Sequence, residues 1–378
     1  MFYTQVAFYC LRGVHRSVLV RYLKGAHNSR KALIYTKHEH KIARTVFDTQ
    51  ALDIIRRLRS AGYEAYIVGG AIRDVMLGRK PKDIDIVTSA HPQEVRKLFF
   101  KSRIIGNRFK LVHVYSGASY YEVATFRAES ENSNEFGTLA EDVMRRDFTM
   151  NALYYNPFSE ELIDFIHGFD DIRKKVIKPI IPLEVIFSED PVRMLRAVKY
   201  AAVFNLHIPM PIKKMIIQQA SLLTSISASR LSEEFLKIIK SGSSYQCFSA
   251  FESYHLLEYF VPSFHEILNN SQFSDAFTND LKALDSYIQN SQDKTLDILF
   301  RYLLKTVIEI SLSRSGLAST REVHLHVYPV VREFLKPLTL PRLGIENAIS
   351  YYSGKPERAI TKKQLLKAKR PVMRRTPS

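Results

Sequence analysis

Gly69-Gly70-Ala71-Ile72-Arg73-Asp74, followed by Asp83-Ile84-Asp85, is the stretch that decides the fold. Ahead of the glycines, Tyr63–Val68 is a short aromatic and β-branched run that predicts a strand. Behind them, Ala71–Leu77 predicts a helix closed by Gly78. Two glycines between a strand and a helix let a phosphate chain approach backbone N–H groups that favour anions. Ile84, Ile86 and Val87 predict the next strand, where aspartates two residues apart share a face. Such a pair suits two magnesium ions working in-line at phosphorus. Taken singly, a glycine pair is usually a turn and a DxD usually a surface pair. Thirteen residues apart, in the order strand, turn, helix, strand, they point to nucleotidyl transfer.

Further elements extend outward from this core. Asp48–Ser60 has helical spacing (Ala51, Ile54, Ile55, Leu58), with Asp48 or Thr49 as N-cap and Gly62 as stop. Gln93–Phe100 predicts a helix, and Phe109–Tyr115 and Tyr120–Phe126 two strands. Ser130–Gly137 is polar and reads as a loop. Beyond Pro182 strand signals almost vanish, and Glu189–Phe204, Ile212–Ser221, Ala228–Lys240, Tyr245–Phe251 and Ala276–Ile288 carry 3.6-residue periodicity. The expected class is α+β: a head with a mixed or antiparallel sheet, then an all-α neck and body. The expected divisions are a basic extension at 1–45, a catalytic head at 46–157, a neck at 158–242, a body at 243–354 and a basic tail at 355–378.

Composition narrows the partners. The 378 residues carry 55 Lys+Arg against 38 Asp+Glu, a net +17. Residues 1–45 hold nine Lys/Arg and one acid, residues 355–378 nine and one, and the remainder 37 against 36. The excess therefore sits at the ends, as arms that release counterions from nucleic acid would have it. Two cysteines support neither a disulfide framework nor a thiolate zinc site. No apolar run is long enough to span a membrane. The first 35 residues are acid-poor and Arg-containing, a pattern shared by transit peptides and by an over-extended start. The expected location is the cytoplasm.

Three more groups complete the candidate site. Glu122 and Asp147 are candidates for a third carboxylate. Arg145-Arg146-Asp147-Phe148-Thr149-Met150-Asn151 offers a phosphate clamp with ribose hydrogen bonding. In Glu189-Asp190-Pro191-Val192-Arg193-Met194-Leu195-Arg196-Ala197-Val198-Lys199, Asp190, Arg193 and Arg196 step along one helix. They can present donors and acceptors to a base, although ion pairing such as Glu189 with Arg193 explains the same pattern. His38-Glu39-His40 lacks further ligands at zinc spacing and reads as a solvated loop. His113, Tyr154-Tyr155 and Tyr200 read as packing residues.

With these motifs in order, the chain resembles the class II nucleotidyltransferases, which include bacterial poly(A) polymerases and CCA-adding tRNA nucleotidyltransferases. The resemblance runs from about His38 to Gly242. It implies that Asp83 and Asp85 hold two catalytic Mg2+ ions and that Glu122 and Asp147 complete or support the site. It implies nucleotide contacts, with ATP as substrate, at Gly69, Gly70, Arg73, Arg146, Asn151, Asp190, Arg193, Arg196 and Lys199, the last usually an arginine. Arg103–Val114 and the segments at Glu189–Arg193 and Ala228–Glu234 resemble the polymerases more, although Asn107 stands where a basic residue is usual. The expected activity is AMP transfer from ATP to RNA 3′ ends. The alternatives are CCA addition to tRNA and, from another class, a non-catalytic RNA-binding adaptor.

Overall fold

The computed structural model describes residues 3–11, 14–24, 29–106, 110–117, 119–128, 135–291, 293–313 and 320–354; side chains are described from residue 31 onward, except at 320 and 321. The basic tail, most of the polar loop at 130–137 and Asn107-Arg108-Phe109 lie outside these residues. The chain divides into two compact units between Gln219 and Ala220.

The first unit is built on one ten-stranded sheet. Its strands are β1 (Tyr3–Leu11), β2 (Val14–Lys24), β3 (Ser29–Tyr35), β4 (Ala65–Val68), β5 (Asp85–Thr88), β6 (Ser102–Ile105), β7 (Leu111–Ser116), β8 (Ser119–Thr125), β9 (Leu153–Asn156) and β10 (Glu161–Asp164). The order across the sheet is β1-β2-β3-β10-β9-β4-β5-β8-β7-β6. Every pairing is antiparallel except β5 with β8. The sheet thus continues past Pro157, and a stretch expected to be only a basic extension supplies three of its strands.

One face of the centre packs Tyr66, Val68, Val87, Phe126, Val143 and Tyr154 into a buried cluster. β4 and β9 are buried on both faces and show no polar alternation. The helix Thr49–Ser60 starts where Asp48 accepts the Ala51 N–H at 2.7 Å, a cap worth about 1 kcal/mol. The expected Glu189–Phe204 helix starts at Val192 and runs to Phe204, while Glu189 ends a separate helix, Leu183–Glu189. Asp190, extended and followed by Pro191, interrupts them.

Among the described residues of the second unit every regular element is a helix, from the 3-10 helix Ala220–Ser225 to Arg342–Tyr352. Its core holds Phe235, Phe248, Phe251, Phe260, Phe264 and Phe277, all fully buried, in mostly edge-on or tilted pairs. Asp285 accepts the N–H groups of Ser244 and Tyr245 at 2.6 and 2.9 Å and so caps the helix Ser244–Ser253 from a neighbouring helix.

Candidate active site

The turn after β4 is where the motifs meet. Gly69 has φ +70°, which a side chain rarely tolerates, and it opens the helix Gly70–Met76. A Cβ at Gly69 would lie 3.6 Å from Arg146 Nη1 and 3.9 Å from both the Asn151 carbonyl and Asp85 Oδ2. Three sequence motifs therefore converge at this turn.

The sheet register explains the convergence. Val68 pairs with Asp85 on one side and Tyr154 on the other. Ile86 pairs with Val123 in the parallel register, so Glu122, midway along β8, stands beside Asp85 at the start of β5. Burial, reinforced by the charges of Glu122 and Asp83 and opposed by Arg146 and Arg73, raises the Asp85 pKa to about 6. Asp83 lies exposed on the bend before β5, so the two aspartates do not share a strand as the spacing predicted. Among the described residues, no three His, Cys, Asp or Glu side chains gather as a cage for a metal.

Arg146 is fixed from behind. Its Nη2 donates to Asp142 Oδ2 at 2.8 Å, its Nε to the Tyr154 hydroxyl at 2.8 Å, and its Nη1 to the Asn151 carbonyl at 3.3 Å. The Tyr154 hydroxyl donates to the same Asp142 oxygen at 2.6 Å. Burial holds the Tyr154 hydroxyl well above its ordinary pKa, so it remains a donor. Burial also pushes the Asp142 carboxyl upward, but Arg146 and the hydrogen bonds from Tyr154, Arg146 and the Arg127 N–H outweigh it and leave the pKa lowered.

Asp147 occupies a different place from Asp85 and Glu122. Its Oδ1 accepts the Phe148 N–H and Asn151 Nδ2 at 2.8 and 2.9 Å, and Arg196 Nη2 lies 2.9 Å from Oδ2. That last contact is an ion pair off the hydrogen-bond line. Asn151 Oδ1 in turn accepts Arg73 Nη1 at 2.9 Å. Arg73 also holds Asp74 and lies 4.5 and 4.8 Å above the rings of Tyr200 and Phe204. Tyr200 is buried among cations: Arg196 donates to its hydroxyl at 3.1 Å and Lys199 Nζ sits 5.2 Å from its ring. Burial alone would raise its pKa, but Arg196, Arg73 and Lys199 bring it below the ordinary value.

Arg193 Nη1 donates to the Ile186 carbonyl at 3.1 Å and to Glu189 at 2.9 Å, so it ties the two helices together. Asp190 Oδ1 accepts the Val192 N–H at 3.3 Å.

The chain is similar to known proteins over most of its length. Residues 65–178 match the family described as "Poly A polymerase head domain", and 205–268 match "Probable RNA and SrmB- binding site of polymerase A". Poly(A) polymerase I of Salmonella typhimurium is 36% identical over 82% of this chain and 72% of its own length. The chain belongs to the poly(A) polymerase family of nucleotidyltransferases. A CCA-adding enzyme of Lactobacillus delbrueckii is 40% identical, over 54% of this chain and 53% of its own length. A tRNA nucleotidyltransferase solved with a primer tRNA and an incoming ATP analogue has a TM-score of 0.58 and 26% identity, over 84% of this chain and 87% of that one. Among the described residues no helix is long and apolar enough to cross a membrane.

Sequence reasoning missed the supports of the site. Asp142 stands four residues before Arg146, a spacing that signals an ion pair on a helical turn, while Tyr154 and Tyr200 looked like plain core. His40 departs from the solvated loop expected of it. It is buried, its Nδ1 accepts the Ile42 N–H at 2.9 Å, and its Nε2 donates to the Glu160 carbonyl at 3.0 Å.

Proposed function

We propose that this chain is a polynucleotide adenylyltransferase that moves AMP from ATP to RNA 3′ ends without a template and releases pyrophosphate. RNA 3′-end processing and turnover in the cytoplasm is the setting we assign to it. The observation that carries this reading is the meeting of Gly69, Asp85, Arg146 and Asn151 at one turn. We place the nucleotide contacts in the head and neck, 46–157 and 158–242, ahead of the body, and further RNA contact at the basic ends.

The roles follow from the contacts. Gly69 and Gly70 leave the space where a triphosphate can approach. Arg146, immobilised by Asp142 and Tyr154, and Arg73, immobilised by Asp74 and Asn151, supply positive charge without reorganising. Asp147 orients Asn151 and Arg196. Asp190, Arg193, Arg196 and Lys199 lie on the segment proposed to receive the base.

Magnesium is the cation the family resemblance implies, and the donors fit it. Asp83, Asp85 and Glu122 offer carboxylate oxygens, the ligands of a hard cation that is often held by one or two carboxylates plus substrate phosphates. The charges of Glu122 and Asp83 act on the largely buried Asp85 and call for a counter-charge there. Asp83 and Asp85 would hold the two ions, whose chemistry is to acidify the attacking hydroxyl and stabilise the departing pyrophosphate.

The second reading, CCA addition, is favoured by the solved tRNA nucleotidyltransferase structure. Against it, likeness to the polymerase extends over 82% of the chain and likeness to the CCA-adding enzyme of Lactobacillus delbrueckii over 54%. Incubating the protein with labelled RNA, magnesium and each nucleoside triphosphate separately decides between them. Long ladders with ATP alone support the polymerase. CTP-dependent addition that stops on tRNA supports the alternative, and no product with any nucleotide overturns both.

A further inference from the structure

Beyond Glu122, the same face of the sheet carries side chains for which the reaction centre has no use. Across the β7–β8 hairpin, His113 lies opposite Glu122 and Tyr115 opposite Tyr120. Arg103 of the edge strand β6 lies opposite His113. Directly opposed residues share a face, and alternate residues along a strand return to it. Burial agrees, since Val112, Val114, Tyr121 and Val123 are buried whereas Tyr115, Tyr120 and Glu122 are exposed.

The rings on this face form a set. His113 stacks on Tyr120 with centroids 4.2 Å apart and planes 19° from parallel. Tyr115 stands 6.4 Å from His113 and 6.2 Å from Tyr120. Tyr120 and Tyr115 nevertheless remain 52% and 42% exposed. His113 Nε2 is 3.6 Å from Glu122 Oε1, so the aromatic strip begins at the carboxylate. At its outer edge Arg103 is exposed, as is Lys101, whose carbonyl accepts the Tyr115 N–H at 2.9 Å.

We propose that this strip is the subsite for the last bases of the RNA 3′ end, which stack on Tyr120 and Tyr115 while Arg103 and Lys101 meet the phosphates. The proposal rests on the adenylyltransferase reading and adds the surface that presents the primer. Exposed rings beside cations suit a single strand bound without regard to sequence, because every base offers a face for stacking. Their order suits a strand entering from the sheet edge: cations outermost, rings between, carboxylates at the end. Tyr120 lies two residues from Glu122, roughly 7 Å along β8. A base on its ring therefore leaves the terminal hydroxyl within reach of Glu122 and Asp85.

The test measures binding of a fluorescent single-stranded oligoribonucleotide in the absence of ATP, together with RNA and ATP KM values. Loss of one stacking contact weakens binding by about tenfold. The Tyr115→Ala/Tyr120→Ala variant should lose at least that much RNA affinity and gain as much in RNA KM, with ATP KM and melting temperature unchanged. Tyr120→Phe should bind as the wild type does. An oligonucleotide lacking its two 3′-terminal bases should bind wild type and double variant equally weakly. Intact RNA held by the double variant within twofold of wild type overturns the proposal. So does undiminished wild-type binding of the base-free end, a result that does not depend on how the variants fold. Because binding is read without turnover, wild-type protein that incorporates no AMP would overturn the activity and not the platform.

Discussion

At Asp85 a stability cost stands beside the chemical role proposed for it. Its carboxylate sits largely buried beside Glu122 and Asp83, an arrangement that costs the apo protein electrostatic energy. Asp85→Asn, and likewise Asp83→Ala, should abolish nucleotide addition while the apo protein melts at the same temperature or higher. Thermal melts in a chelator, set beside turnover in magnesium, check both halves. A variant with near wild-type turnover removes these carboxylates from the site. Asp142 has the opposite sign. Its Arg146 partner stays charged at any accessible pH, so Asp142→Asn strands a buried cation and should cost about 3–5 kcal/mol. The folded-state pKa of Asp142 is lowered. Its contribution is therefore present above the unfolded carboxylate pKa and is lost as pH falls through the folded value. Urea denaturation at pH 7 and near pH 3 should show the gap between wild type and variant narrowing in acid.

Among the elements, the broken helix at Asp190 is the most instructive. Periodicity ran continuously from Glu189 to Phe204, and nothing local marks where Leu183–Glu189 ends except the residue before Pro191. Arg193 bridges the break to Ile186 and Glu189, so it is both a tether and the candidate reader of the base. Arg193→Ala should blunt the preference for ATP over CTP by one to two orders of magnitude, the cost of a lost buried partner. Single-nucleotide kinetics decide: an unchanged ATP/CTP ratio beside a lower kcat leaves it a tether only. The same distinction explains what the sequence revealed. Strands flanking Gly69-Gly70 were readable because β-branched runs and turn glycines are local signals. β9 and β10 were not, because Leu153-Tyr154-Tyr155 is buried on both faces and loses its alternation. β6 is an edge strand of only four residues, and β3 joins β10 through pairing no local window contains. Asp85 and Gly69 could be picked out by motif, whereas the Arg146–Asp142–Tyr154 support depends on a register set by β4 and β9.

For the whole molecule, charge is the property that no single element explains. Net charge is +17, yet the residues between the two basic ends carry 37 cations against 36 anions. A catalytic unit that must release its extended product has little use for tight binding at the reaction centre. On the reading proposed above, affinity placed in the ends would hold the RNA while the terminus moves. Residues 355–378 carry nine Lys/Arg and no aromatic ring, so they should bind phosphates without stacking on bases. Each phosphate contact on a single strand contributes about 0.7 to the slope of log affinity against log salt. A 1–354 truncation should therefore bind many RNAs less tightly and alike, with a salt slope flattened by two or more if a third of those cations touch RNA. ATP KM should not move, since Gly69, Asp85 and Arg146 lie more than 200 residues earlier in the chain. Tails should shorten, because a primer held less firmly dissociates sooner between additions. RNA titrations at four salt concentrations, with product lengths from the same proteins, measure both effects. An unchanged slope with unchanged tail length would show that these cations meet water rather than RNA, and would move the work of holding the primer to the sheet.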